Sequence, residues 1–202
     1  MNNLEIILPH LDFSDPDKFY FIQIYKRRKD NPGMDKDMRL LDNYAIYSKE
    51  QLLKYWPLIT QRCDDENARA YIRLNRRSEK KVALQLLSRI ATMIAAEQYN
   101  VKNAYWSVTG EYPCEPDKSW LIDIDWKDFE NRKPLLGVIH HKIKELQEET
   151  GREPRMDIIP SRNGYHLITR PFNIQKLAQF FTDNGVKVDY HKDNPTILYM
   201  PS

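Results

Sequence analysis

Hydrophobic positions recur along this chain with two different spacings, and the switches between them mark out the elements. Lys18 to Tyr25 (KFYFIQIY) is rich in aromatic and β-branched residues and predicts a strand, with a second over Asn43 to Tyr47 and a third over Arg69 to Leu74. A helix is expected from Lys49 to Gln61. The longest periodic segment, Glu79 to Tyr99, sets Val82, Ala83, Leu86, Leu87, Ile90, Met93 and Ile94 on one stripe, the pattern of a core-facing helix with Ser78 as its N-cap. Lys29 to Lys36, with Asn31-Pro32-Gly33, and Thr109 to Lys118, with Gly110, Pro113 and Pro116, read as irregular.

In the C-terminal half the alternation is cleaner. Trp120 to Trp126 reads as a strand, and Leu135 to Thr150 as a helix with Leu135, Ile139, Ile143 and Leu146 on one face and Gly151 as its stop. Met156 to Arg162 and Tyr165 to Arg170 follow as short strands. A helix begins at Asn173, runs through Leu177, Ala178 and Phe181, and stops at Asn184-Gly185. Strands over Val186 to Tyr190 and Thr196 to Met200 complete the pattern. Strand, helix, hairpin, helix, strand predicts an α+β fold: a mostly antiparallel sheet with packed helices and an RRM-like C-terminal half. One domain over residues 1–202 is expected, with an N-terminal part (1–118) and a C-terminal part (119–202).

The 202 residues are 41% hydrophobic, enough for a core, and carry 31 Lys plus Arg against 29 Asp plus Glu. A net charge of +2 excludes a bulk polycation, so nucleic-acid affinity requires a local patch. Such a patch exists between Arg69 and Arg89. Arg69, Arg73, Arg76, Arg77, Lys80, Lys81 and Arg89 stand against the single acid Glu79. Arg73, Arg76, Arg77 and Lys80 cluster where a strand hands over to a helix N-terminus, which suits phosphate recognition, and Lys26, Arg27 and Arg28 are candidates for the same surface. A solvated charged face satisfies the pattern equally well. No apolar run reaches the roughly 20 residues of a membrane span. The opening MNNLEIILPHLDF lacks secretory features, and Cys63 and Cys114 have neither metal-ligand nor disulfide spacing, so an intracellular, cytoplasmic protein is expected.

Two short motifs carry candidate chemistry. In SWLIDIDW, Asp123 and Asp125 lie at i and i+2 of a strand, on one face and roughly 6–7 Å apart at Cα. Hard oxygen ligands so spaced reach one divalent ion or hold two side by side, which favours Mg²⁺ or Mn²⁺. An amphipathic strand with its acidic face in water satisfies the same spacing. In DIIPSRNGYHLITR, Asn163-Gly164 is a type I′ hairpin signal. With those two residues as the turn, Ser161 lies directly opposite His166 and steadies its imidazole, Ile159 faces Ile168, and Asp157 faces Arg170. A plain hairpin with a partly exposed histidine is the alternative.

In combination these motifs resemble the archaeo-eukaryotic primase (primase–polymerase) superfamily over roughly Trp120 to Asp189. A hydrophobic strand ending in two acids one residue apart matches Leu121-Ile122-Asp123-Ile124-Asp125. A serine, a glycine three residues on and a histidine two beyond match Ser161, Gly164 and His166, and the acid of a later strand matches Val188-Asp189, with Asp193 as the alternative. The chain departs from the family in having Arg162 after the serine, a short interval from His166 to Asp189, and no cysteine cluster. The resemblance implies a metal-dependent nucleotidyltransferase of DNA replication, of phage or mobile-element origin, acting on nucleic acid and nucleoside triphosphates. Asp123, Asp125 and Asp189 would hold Mg²⁺ or Mn²⁺ that activates a primer 3′-hydroxyl, with Asp123, Asp125 and His166 catalytic. Ser161, Arg162 and His166, with Arg73, Arg76, Arg77 and Lys80, would contact nucleotide or template phosphates. Competing readings are a metal-dependent nuclease, a catalytically inactive nucleic-acid-binding relative, and a pocket for a free nucleotide.

Overall fold

The computed structural model describes residues 1–113, 118–125, 129–151, 153–183, 189–193 and 195–201, with the side chains of 125 and 129–133 also outside the description. Expectations for Cys114, Trp126, the Asn184-Gly185 helix stop, residues 186–188 and the side chain of Asp125 therefore fall outside the described residues. The fold is α+β, with two antiparallel sheets of four strands each. In chain order its elements are α1 (Leu4–Ile7), a 3-10 turn (Leu8–His10), β1 (Lys18–Arg27), β2 (Met38–Ile46), α2 (Lys49–Glu66), β3 (Arg69–Ser78), α3 (Glu79–Ala95), α4 (Ala104–Glu111), β4 (Trp120–Asp125), α5 (Phe129–Glu148), β5 (Met156–Pro160), β6 (Gly164–Thr169), α6 (Ile174–Asp183), β7 (Asp189–His191) and β8 (Thr196–Tyr199). Among the described residues no helix is long and apolar enough to cross a membrane. The chain falls into two compact units, Met1–Pro116 with Ile197–Ser202, and Asp117–Thr196.

The first unit is built on the sheet β2-β1-β3-β8. Its inner strand β1 buries six consecutive residues, Phe19 to Ile24, because both faces are covered. On one face Phe19 packs with Val82 of α3 and Val108 of α4, and the Phe21 ring stacks on Trp106 at 5.7 Å. On the other, Tyr44, paired with Ile22, meets Tyr55 of α2. The Ser48 hydroxyl caps α2 by accepting from Gln51 N, while the Gln51 side chain accepts from Tyr47 N, a near-reciprocal pair that ties off two orphan donors. Asn67, at φ 44, ends the helix in the left-handed region.

Two expectations for this unit are corrected. Helix α3 exists and is capped by Ser78, but it ends at Ala95 and its apolar stripe is mostly not core: Val82 is buried, whereas Leu87 is 68% and Ile94 52% exposed. Periodicity identifies which residues share a stripe; it does not supply a surface to pack against. Residues 104–111, partly assigned to an irregular stretch, form α4, where a side chain at Gly110 would begin at ordinary contact distance, 3.9 Å, from the Phe21 ring.

The second unit runs β4-α5-β5-β6-α6-β7, with strand order β5-β6-β4-β7 and every neighbouring pair antiparallel. This is the ferredoxin-like, RRM-like arrangement. Period-two alternation divides its sheet into two faces. Ile122 and Ile124 of β4 and Leu167 of β6 point to one side and pack with Ile139, Ile143 and Leu146 of α5 and Leu177 and Phe181 of α6. Burying side chains of this size stabilises by about 1.5–3 kcal/mol each, so this cluster fixes which β4 residues face the helices. The alternate positions of the same strands, Asp123 and His166 among them, are thereby placed on the opposite face.

Candidate functional site

The register of the second sheet brings the motif residues together. Asp123 of β4 pairs with His166 of β6 on one side and Asp189 of β7 on the other, while Ile159 of β5 faces His166. His166, Asp123 and Asp189 thus occupy one rung across three adjacent strands, each step about 4.8 Å. On the same face, two residues along, Leu121 faces His191; two residues the other way, the backbone of Asp125 pairs with Gly164. Asp193 follows β7 in a bend, so of the two candidate third acids it is Asp189 that shares the rung with Asp123. Asp189 is exposed and Asp123 half-buried with its Oδ1 closed off, so solvent reaches the rung from the Asp189 end.

The hairpin closes one residue earlier than the Asn-Gly signal predicts. Ser161 N donates to Gly164 O at 2.9 Å, leaving Arg162 and Asn163 as the two turn residues, and neither has positive φ. Ser at the first and Gly at the fourth position suit a type I turn, which needs no left-handed residue. The pairing of β6 with β4 accounts for the choice, since it places Gly164 opposite Asp125 as a ladder residue rather than in the turn. Each partner therefore shifts by two: Ile159, not Ser161, faces His166, and Asp157 faces Ile168, not Arg170. A shift of two preserves the faces, so Ser161 stays on the histidine side but only diagonally from it.

His166 is 8% exposed. Its Nδ1 lies 2.8 Å from the Thr196 hydroxyl and its Nε2 3.6 Å from Asp123 Oδ1, the latter beyond hydrogen-bond range. Burial, with a smaller contribution from the charge of nearby His191, pushes the ring down to about 4, so it is neutral near pH 7 and its approach to Asp123 is not an ion pair there. Thr196, not Ser161, is the hydroxyl within hydrogen-bond distance of the imidazole. The Ser161 hydroxyl oxygen is buried and, among the described residues, has no hydrogen-bond partner. Thr196 and His191 escape sequence reasoning because neither belongs to a recognisable spacing. His191 alone carried a signal, an ionisable residue two positions beyond Asp189 and so on the same strand face.

The remaining predicted residues divide. Arg162 is exposed at the hairpin tip. Tyr165 packs against the helix-covered core and Trp120 against the Phe172 ring. The basic stretch belongs to the first unit, where most of its charge is used internally. Arg77 is fully buried and donates to the carbonyl oxygens of Thr109 at 2.7 Å, Asn75 at 2.6 Å and Gly110 at 3.3 Å, which removes it from the phosphate-binding set. Arg76 pairs with Asp12 at 2.9 Å, and Arg89 with Glu111 at 2.7 Å. Arg69 makes a buried bidentate pair with Asp30 at 2.7 and 2.6 Å. Lys26 pairs with Glu66, Arg27 reaches the Tyr71 hydroxyl, and Arg28 pairs with Asp37. Arg73 lines a cavity of about 840 Å³ together with Gln23, Tyr25, Asn43 and Trp106. Lys80 and Lys81 are exposed.

Among the described residues no set of three or more His, Cys, Asp or Glu side chains is grouped closely enough to hold one ion; the carboxylate of Asp125 is outside that set. The donor chemistry at the rung nevertheless suits a hard cation, since Asp123 and Asp189 are directly opposed carboxylates on neighbouring strands. Comparison of the chain with protein-family models, with curated proteins and with solved structures finds no match.

Proposed function

We propose that the second unit is a primase–polymerase-type nucleotidyltransferase site acting on nucleic acid and nucleoside triphosphates. The observation that carries this reading is the single rung His166–Asp123–Asp189, which joins residues from three separate motifs of the resemblance on one sheet face. Asp123, Asp125 and Asp189 are the residues that would hold Mg²⁺ or Mn²⁺. When bound, such ions supply activation of a primer 3′-hydroxyl and neutralisation of charge at the α-phosphate. His166, neutral and buried at the foot of the rung, supplies a hydrogen bond to a phosphate oxygen without adding a fixed charge. Arg162, exposed on the turn that leads into β6, supplies a charged contact to triphosphate or template backbone. Exposed Lys80 and Lys81 of the first unit add sequence-independent attraction for nucleic acid.

The test is template-directed incorporation of labelled nucleotides by the full chain with Mn²⁺ or Mg²⁺, beside the same reaction without nucleotides. Incorporation that requires template and is lost in Asp123→Asn supports the reading. Degradation of labelled nucleic acid without added nucleotides assigns the site to a nuclease instead. Salt-sensitive binding with no metal-dependent turnover in either reaction leaves an inactive binding relative, and the proposal fails.

A further inference from the structure

Hydrogen-bond accounting around His166 specifies which ring nitrogen carries the proton. Thr196 is fully buried, and among the described residues its hydroxyl oxygen has one partner, His166 Nδ1 at 2.8 Å. A hydroxyl closed off from bulk solvent must place its own proton on an acceptor within the protein. Were Nδ1 protonated, it would donate to the Thr196 oxygen and leave the hydroxyl proton buried with nothing among the described residues to receive it. With Nδ1 bare, Thr196 donates to it and both groups are satisfied. The other nitrogen gives the same answer independently: Nε2 lies 3.6 Å from Asp123 Oδ1, where an N–H is attracted to the carboxylate and a lone pair is repelled.

We infer that Thr196 is a positioning residue that holds His166 in the Nε2–H tautomer, so that its one N–H faces the Asp123 side of the rung as a donor to an anionic oxygen of the substrate. With Nδ1 accepting from Thr196 the ring has one N–H, and its location decides what the ring can do. With the proton on Nδ1, the ring would present a lone pair toward the rung and repel a phosphate. That the oxygen belongs to a nucleoside triphosphate rests on the proposed function; the tautomer does not.

Long-range ¹H–¹⁵N spectra of the labelled full chain at pH 7 test this, with the His166 signals assigned from their absence in His166→Gln. The wild-type chain should show Nε2 protonated and Nδ1 bare; the reverse overturns the inference outright, with no need for a Thr196 variant to fold. Thr196→Val should move population toward Nδ1–H, and Thr196→Ser should restore the wild-type pattern. An unchanged tautomer in a folded Thr196→Val chain removes Thr196 from the role. In the incorporation assay Thr196→Val should raise KM for nucleotide about 10- to 100-fold, with rescue by Thr196→Ser. If the wild-type chain incorporates nothing, the proposed function fails while the spectra still decide the tautomer.

Discussion

The basic stretch of the first unit and the rung of the second make opposite use of the chain. Arg69, Arg76, Arg77 and Arg89 are close in sequence, yet the structure disperses them to separate partners: Asp30, Asp12, three main-chain carbonyls and Glu111. His166, Asp123 and Asp189 are tens of residues apart, yet strand pairing gathers them on one level of one sheet. Proximity along the chain is therefore a poor guide to a shared surface, because successive strand positions point to opposite faces and each charge finds its nearest counter-group. Register is the better guide, because residues directly opposite one another share a face whatever their separation in sequence.

The contrast breaks most visibly at the rung. The double variant Asp123→Asn, Asp125→Asn should lower template-directed incorporation about a hundredfold or more while leaving the melting curve close to wild type, since lost charge stabilisation of several kcal/mol converts to that factor. Retained incorporation would separate these acids from the chemistry. Arg77→Met should do the converse. It strips two buried carbonyls and a part-buried one of their donor and should cost about 3–5 kcal/mol in urea unfolding, without a specific effect on nucleotide affinity in the folded fraction. A loss under about 1 kcal/mol would return Arg77 to the surface-charge reading.

His166 sharpens the comparison through pH. Its folded-state pKa, about 4, lies below the unfolded value near 6.5, so the unfolded chain binds the extra proton first. The stability it contributes is complete above pH 6.5 and is lost as pH falls toward 4, by about 3 kcal/mol across that window. Denaturation of wild type and His166→Gln at pH 7 and pH 4 should show the wild type losing more stability by that amount, and parallel losses would refute it. The smallest effect is expected at α3. Leu87→Glu should change stability by no more than about 0.5 kcal/mol because that side chain is 68% exposed, and a loss above about 2 kcal/mol would mean the stripe is covered.

Much of the fold could be read from residues alone, and the reasons for the failures are physical. Beta-branched and aromatic runs marked β1, β3 and β4, and the order strand, helix, hairpin, helix, strand led to the α+β assignment. The Asn163-Gly164 dipeptide misled because a turn signal is local, whereas the turn is positioned by the ladder that Gly164 joins with β4. Arg77 misled because a charged side chain is assumed to be solvated, and nothing in Arg76-Arg77-Ser78 announces three carbonyls 32 and 33 residues later and two residues earlier. The α3 stripe misled in the other direction, since amphipathic spacing announces a surface without its partner. Asp123 and His166 were legible as chemistry-bearing types at telling intervals. Thr196 was not, because its importance lies in a single contact made 30 residues from the histidine.

Backbone pairing also acts as a fixed ruler at the rung. The separation between the main-chain anchors of Asp123 and Asp189 is set by the pitch of the sheet, about 4.8 Å, and cannot be tuned by loop length or helix packing. Only side-chain length remains adjustable, and because strand side chains stand out from the sheet, Asp189→Glu, one methylene longer, would lift the carboxylate further from the sheet face while leaving the spacing of the anchors unchanged.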